Sequence, residues 1–341
     1  MDSKVLAATA KAMVAPGKGI LAIDESSGTC KKRFDGVNVE CTEENRRAYR
    51  ELLVSAPGVE QYISGMILYD ETIRQKDKNE VPFAEVLKQK GIIPGIKVDA
   101  GTKPLALHEG EVVTEGLDGL RDRLVEYGKL GAQFAKWRAV IAIGANMPSQ
   151  ACIMANAHAL ARYAALCQEN GLVPMVEPEI LIDGNHTIEK CYEVTALTLK
   201  ALFSQLAEQG VDVKGTILKV SMVLPGKDAE KAPAAEVAKQ TVKCLMENVP
   251  HDLAGVVFLS GGQSDSDATI HLDLMNKIGG LPWPLSFSYG RAIQSPALKI
   301  WAQDIVNNVG RAQQALVHRS KCNGLAALGK YDVAVEKEFV A

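Results

Sequence analysis

A lysine stands in the middle of an otherwise apolar run, Thr216-Ile217-Leu218-Lys219-Val220-Ser221-Met222-Val223, which Leu224-Pro225-Gly226 closes. The run reads as a short strand buried on both faces. An ammonium there must find a partner, reach water or give up its proton. One reading is a strand end whose lysine reaches outward to solvent. The other is an amine used as a nucleophile towards a carbonyl. Charges in other apolar runs decide between them: Asp24 after Ile20-Leu21-Ala22-Ile23, Lys97 and Asp99 beside Ile96 and Val98, Lys136 and Arg138 around Trp137, and Glu177 and Glu179 around Pro178.

These side chains share a surface only if their strands alternate in phase. In the sixth run Leu218, Val220 and Met222 take one parity and Lys219 and Ser221 the other. The same test puts Asp24, Lys97, Asp99, Lys136, Arg138, Glu177 and Glu179 on the parity opposite their apolar neighbours. Eight such runs are legible: Gly19-Asp24, Tyr62-Tyr69, Ile92-Asp99, Phe134-Ile141, Val173-Ile180, Thr216-Val223, Gly255-Ser260 and Pro284-Tyr289. Their starts lie roughly 30 to 43 residues apart, room for a strand, a loop and a helix per unit. Helix signals fill the gaps: Thr42 before Glu43-Glu44, Pro148-Ser149 before Gln150–Glu169 with Asn170-Gly171 after it, Pro233 before Ala234, and Gly210 closing Ile188–Gln209. Eight strand–helix alternations predict a parallel sheet closed into a (β/α)8 TIM barrel over residues 1–341, an α/β fold in a single domain. An open doubly wound sheet would want a glycine-rich dinucleotide loop after the first strand, and Asp24-Glu25-Ser26-Ser27-Gly28-Thr29 lacks that pattern.

In a barrel these charges converge on one interior near the strand C-termini, where barrel active sites sit. Buried ion pairs rarely add net stability over apolar packing, so so large a cluster points to function. Lys136 and Arg138 would disfavour the ammonium form of Lys219. A neutral amine adds to a ketone to give an iminium, an electron sink that lets an adjacent carbon–carbon bond break. Glu177 and Asp24 are the candidate proton carriers, and Glu179 reads as orienting Lys136 or Glu177. Leu259-Ser260-Gly261-Gly262 and Ser288-Tyr289-Gly290-Arg291 follow the seventh and eighth strands, where barrels commonly hold phosphate. Ser26, Thr29, Lys32, Arg33 and Lys97 lie across the mouth and can hold a second phosphate, though Lys32 reads equally as a solvated charge.

The bulk composition excludes several classes. The 341 residues carry 38 Lys+Arg against 41 Asp+Glu, net −3, so no nucleic-acid footprint is expected. No apolar run approaches the ~18 residues of a membrane span, and Met1–Ala15 reads as an amphipathic helix bearing Val5, Leu6 and Met13, not as a signal peptide. Seven cysteines without a CxxC pair suit a reducing cytosol, and six scattered histidines argue against a metal site. Gln75–Glu80 reads as a surface loop, a last helix runs from Arg311 to about Asn323-Gly324, and residues 330–341 read as a mobile tail.

Motifs in this order resemble those of the class I (Schiff-base) fructose-1,6-bisphosphate aldolases over essentially the whole chain. They are Gly19-Ile20-Leu21-Ala22-Ile23-Asp24-Glu25-Ser26, Gly95-Ile96-Lys97-Val98-Asp99, Phe134-Ala135-Lys136-Trp137-Arg138, Val176-Glu177-Pro178-Glu179-Ile180, Leu218-Lys219, Leu259-Ser260-Gly261-Gly262-Gln263 and Ser286-Phe287-Ser288-Tyr289-Gly290-Arg291. The resemblance implies cleavage of fructose 1,6-bisphosphate with Lys219 as the Schiff-base lysine, Glu177 as main acid/base, Asp24 taking the C4 hydroxyl proton and Lys136 assisting. It implies Ser260, Gly261, Gly290 and Arg291 on the C1 phosphate, Ser26, Thr29, Arg33 and Lys97 towards the C6 phosphate, no cofactor or metal, and a cytoplasmic homotetramer. Arg138, Gly262 and Ser288 complete the expected substrate wall. Two departures stand out: Ala100 where the family often has lysine, and Glu338-Phe339-Val340-Ala341 where many members end in tyrosine. The nearest tyrosine, Tyr331, has no assignable place at the site, so either the tail matters less here or another group carries the proton. The competing functions are a metal-dependent aldolase, a transaldolase or Schiff-base lyase on another sugar phosphate, and a binding scaffold without catalysis.

Overall fold

The computed structural model describes residues 3–339. Eight parallel strands close in the order β1 (Gly19–Ala22), β10 (Leu285–Tyr289), β9 (Gly255–Phe258), β8 (Ile217–Val220), β7 (Val173–Ile180), β6 (Phe134–Ile141), β3 (Ile93–Lys97) and β2 (Ile63–Leu68). The chain begins with α1 (Ser3–Met13) and then interleaves helices between the strands. These are α2 (Ser27–Asp35), α3 (Glu43–Ser55), α4 (Asp70–Arg74), α5 (Phe83–Gln89), α6 (Leu120–Lys129), α7 (Gln150–Glu169), α8 (Ile188–Glu208), α9 (Ala234–Asn248), α10 (Asp265–Ile278), α11 (Arg291–Gln303) and α12 (Val309–Ala326). Several start where the sequence signals them. The side chains of Thr42 and Ser149 accept the N–H groups of Asn45 and Cys152, satisfying donors that α3 and α7 would otherwise leave open.

Parity along the strands sorts the apolar residues into two cores. Leu21, Ile96, Trp137, Val176, Leu218, Val220 and Phe258 pack outward with the helices. Ile20, Ala22, Ile67, Phe134, Val173, Met175, Ile217 and Val257 form a second, inner cluster with Leu6, Ala10, Met13 and Val14. The amphipathic helix α1 thus serves as a plug for the barrel floor, though its Val5 points to solvent. Phe134 fills that floor because Gly95 opposite has no side chain: a Cβ there would lie 2.2 Å from the ring.

One element escapes sequence reading. An antiparallel hairpin, β4 (Thr102–Pro104) with β5 (Val112–Thr114), leaves the barrel after β3. Its first strand is exposed throughout, so no alternation of apolar residues announces it. At the other end, residues 333–338 form a 3-10 turn against α12. Arg319 holds Glu336 at 2.5 Å, Tyr331 donates to Glu336 at 2.7 Å, and Lys321 pairs with Glu338. Val340 and Ala341 lie outside the described residues.

Candidate active site

Along each inward-facing row the chemistry changes once. Phe134 is followed two residues on by Lys136, Met175 by Glu177, Ile217 by Lys219, Ala22 by Asp24 and Gly95 by Lys97. The apolar residues close the barrel floor, and the charged ones begin a cavity of about 480 Å3 open at the strand C-termini. The cavity wall contains Asp24, Ser26, Thr29, Arg33, Lys97, Lys136, Arg138, Glu177, Glu179, Lys219, Ser260, Gly261, Ser288, Gly290 and Arg291. The barrel thus brings together fifteen of the sixteen site residues expected from the sequence, the charged strand residues through their parity and the others through the end of β10 and the segments after β1, β9 and β10. Gly262 is the exception: it faces a neighbouring pocket with Ile182, Gln263 and His271. Lys32 is exposed and does not belong to the wall. Ser221, though inward, spends its hydroxyl on the backbone of Ile180, 3.0 Å from both its N and O.

Lys219 is 4% exposed, and its Nζ lies 3.2 Å from Glu177 Oε1. Lys136 Nζ sits between two carboxylates, 3.0 Å from Glu177 Oε2 and 3.0 Å from Asp24 Oδ2. Lys97 pairs with Asp99 at 2.8 Å, and Arg138 with Glu179. Burial on its own would raise the Asp24 carboxyl, but the charges of Lys136, Lys219 and Lys97 outweigh it and hold the group well below its ordinary value. Glu177 is depressed in the same way: burial works upward, while Lys136, Lys219 and Arg138 pull harder downward. Lys136 is raised, since Asp24, Glu177 and Asp99 overcome the burial that would discharge it.

This geometry differs from the sequence expectation in two respects. Lys136 and Arg138 do not act on Lys219 as bare like charges, because each carries its own carboxylate. Glu179 meets Arg138, not Lys136 or Glu177: β6 and β7 are neighbours, Glu177 stands opposite Arg138 in the register, and the long arginine side chain extends one inward step further towards the mouth to reach Glu179. Sequence reasoning missed Glu25, Tyr69 and Ala100-Gly101-Thr102 at the root of the hairpin; Asp99, placed inward by its parity, is in the wall, though the sequence assigns it no role. Tyr69 and the hairpin root carried no such signal.

The mouth offers two sets of anion-binding groups. Ser26 caps α2, whose first turn presents Thr29, and Gly290 precedes α11, whose first residue is Arg291. Both helix N-termini reach the cavity wall, where open N–H groups and the helix dipole favour an anion. Gly261 adopts φ +55°, turning the chain after β9 so that backbone reaches the wall. Ser288 Oγ is buried and has no hydrogen-bond partner among the described residues. The wall holds no histidine or cysteine among the described residues. The compact His318, Cys322 and Glu336 grouping lies instead on α12 and the turn beyond it, with Glu336 engaged by Arg319.

A closed eight-stranded parallel barrel with a lysine-bearing charged cavity at its C-terminal mouth defines a TIM-barrel enzyme. The family model for class-I fructose-bisphosphate aldolase, a glycolytic family, matches residues 5–340. The chain is 64% identical over 332 residues to a probable fructose-bisphosphate aldolase class 1 of Xanthomonas campestris pv. campestris, covering 97% of this chain and 99% of that one. It is 53% identical to the cytosolic fructose-bisphosphate aldolase 4 of Arabidopsis thaliana, covering 96% of this chain and 83% of that one. A solved structure of fructose-bisphosphate aldolase from Plasmodium falciparum, in complex with TRAP and a small-molecule inhibitor, superposes with TM-score 0.95 at 47% identity, covering 97% and 96% of the two chains. The chain belongs to the class-I fructose-bisphosphate aldolase family, whose members work without metal through a Schiff base.

Proposed function

We propose that this chain cleaves fructose 1,6-bisphosphate reversibly to dihydroxyacetone phosphate and glyceraldehyde 3-phosphate through an imine on Lys219. The observation that carries the reading is Lys219 Nζ, buried and 3.2 Å from Glu177 Oε1, on the floor of a cavity whose mouth carries anion-binding groups from the segments after β1, β9 and β10 and at the end of β3. Glu177 takes the proton that Lys219 Nζ releases as it adds to the C2 ketone and returns it to the alkoxide, giving the carbinolamine; a second proton, from solvent through Glu177, lets the hydroxyl leave as water and the iminium form. Asp24, held ionised by Lys136, accepts the C4 hydroxyl proton as the C3–C4 bond breaks. The electron pair of that bond passes into the iminium and leaves an enamine. Protonation at C3 and hydrolysis then free dihydroxyacetone phosphate and restore the amine. Ser260, Gly261, Ser288, Gly290 and Arg291 serve the C1 phosphate, and Ser26, Thr29, Arg33 and Lys97 the C6 phosphate. Glu179 aligns Arg138 at the rim.

Borohydride reduction in the presence of dihydroxyacetone phosphate should leave a single adduct, and peptide mass spectrometry should map it to Lys219. An adduct elsewhere, or none with turnover intact, overturns the mechanism. Cleavage should proceed unchanged in excess chelator, since the donors at the site are amines and carboxylates already paired with one another; loss of activity restored by a divalent ion would favour metal polarisation of the ketone. The reading extends to a single-domain cytoplasmic homotetramer, supported by family membership and by the relative named cytosolic. Light scattering at four chain masses is the expected result.

A further inference from the structure

Glu25 lines the cavity next to the groups assigned to the second phosphate, yet its side chain is only 6% exposed. A free carboxylate there would repel a phosphate dianion. Three helices converge on it instead. Arg33 of α2 donates through Nη1, Arg50 of α3 approaches Oε2 at 2.8 Å, and Gln294 of α11 donates to Oε1 at 2.8 Å. Gln294 is itself fixed: its Nε2 also donates to Ala22 O at 2.6 Å, and Tyr49 donates to its Oε1 at 3.1 Å. Arg50 is 2% exposed, with Nη2 against Glu25 O at 3.3 Å and Cys30 Sγ at 3.1 Å. It cannot touch a ligand. Arg33 can, since it is part of the cavity wall and lies on α2, whose first turn brings Thr29 to the same wall.

Charge counting gives the arrangement a purpose. With one arginine, Glu25 would form a neutral pair and cancel the charge offered to the ligand. With two, one positive charge is left over, and only Arg33 is placed to present it. We propose that Arg50 is a positioning residue for the phosphate remote from the substrate's keto carbon: it neutralises Glu25 from behind, so that Arg33 keeps its full charge and its free N–H edge for that phosphate. The proposal rests on the aldolase reading above and deepens it, because it names what makes the cavity select a bisphosphate over a monophosphate.

The test compares cleavage of fructose 1,6-bisphosphate with that of fructose 1-phosphate, which lacks the second phosphate. Arg50→Met should raise KM for the bisphosphate about tenfold, the loss of one charge-assisted phosphate contact, with kcat/KM for the monophosphate unchanged. Arg50→Lys, which keeps the charge, should recover much of that loss. The double variant Arg50→Met/Glu25→Gln removes both buried charges and leaves Arg33 unpaired, so its KM for the bisphosphate should fall back towards wild type. It also guards against a fold that fails with one orphaned carboxylate. Equal losses on both substrates in Arg50→Met, as a purely structural Arg50 predicts, or a double variant whose KM for the bisphosphate stays raised, overturns the proposal. A wild-type enzyme that cleaves neither sugar phosphate would instead refute the aldolase reading, and this proposal with it.

Discussion

Lys136 carries an ammonium between Asp24 and Glu177, both depressed below the usual carboxyl range by the cations around them. Replacing it by methionine would strand the buried carboxylate of Asp24 and leave Glu177 with Lys219 alone, a defect that costs about 3–5 kcal/mol when one partner of a buried pair is removed. Urea unfolding at pH 7 should show that loss, and turnover should fall with it because Asp24 would no longer be held as a base. The pH dependence has a definite sign. A carboxyl whose folded pKa lies below its unfolded value adds stability above the unfolded value, near ~4, and loses it as pH falls through the lower folded value. The wild-type urea midpoint should therefore decline below about pH 4 as these carboxylates protonate. In Lys136→Met the same acidification neutralises the two carboxylates, so the gap between variant and wild type should narrow as pH falls. A gap that stays constant from pH 7 to pH 4 would mean that Lys136 is not what holds the two acids charged.

At the level of elements, the barrel separates support from chemistry within single strands. On β6 the inward row runs Phe134, Lys136, Arg138, and on β7 Val173, Met175, Glu177, Glu179. The lower residues join the plug from α1 and fix the height at which the charged ones emerge. Gly95→Ala tests the coupling. Its Cβ would lie 2.2 Å from the Phe134 ring in a floor already filled by Ile20, Ile67 and Met175. Overpacking of this kind costs about 1–3 kcal/mol. The melting temperature should drop, and KM should rise because Lys97, two residues further along β3, is displaced with the strand. A melting temperature unchanged from wild type would show that the ring has room to move.

Across the whole molecule, the segment after α12 is fastened away from the cavity. Glu336 is bound by Arg319 and Tyr331, Glu338 by Lys321, and the Phe339 ring stacks on His318. None of residues 331–339 forms part of the cavity wall. Deleting the residues after Lys330 should therefore leave proton exchange at C3 of dihydroxyacetone phosphate largely intact, while lowering stability through the buried guanidinium of Arg319 left without its carboxylate. A selective collapse of that exchange in the truncated enzyme would assign the enamine proton to the tail.

The eight strands and the inward set of Lys219, Lys136, Glu177, Asp24 and Lys97 were legible in residue order alone. A two-residue period along a buried strand fixes which face a side chain takes, and a charge amid Val, Ile and Leu has no inexpensive structural use. Tertiary packing decided who pairs with whom. Glu179 reaches Arg138 because β6 and β7 are neighbours and the arginine extends past its register partner Glu177 towards the mouth. Glu25 becomes the hub of Arg33, Arg50 and Gln294 because α2 and α3, which follow it, and the distant α11 meet around it. Contacts across sequence separations of up to 269 residues leave no periodic trace in the chain, and they arise only once the barrel has closed.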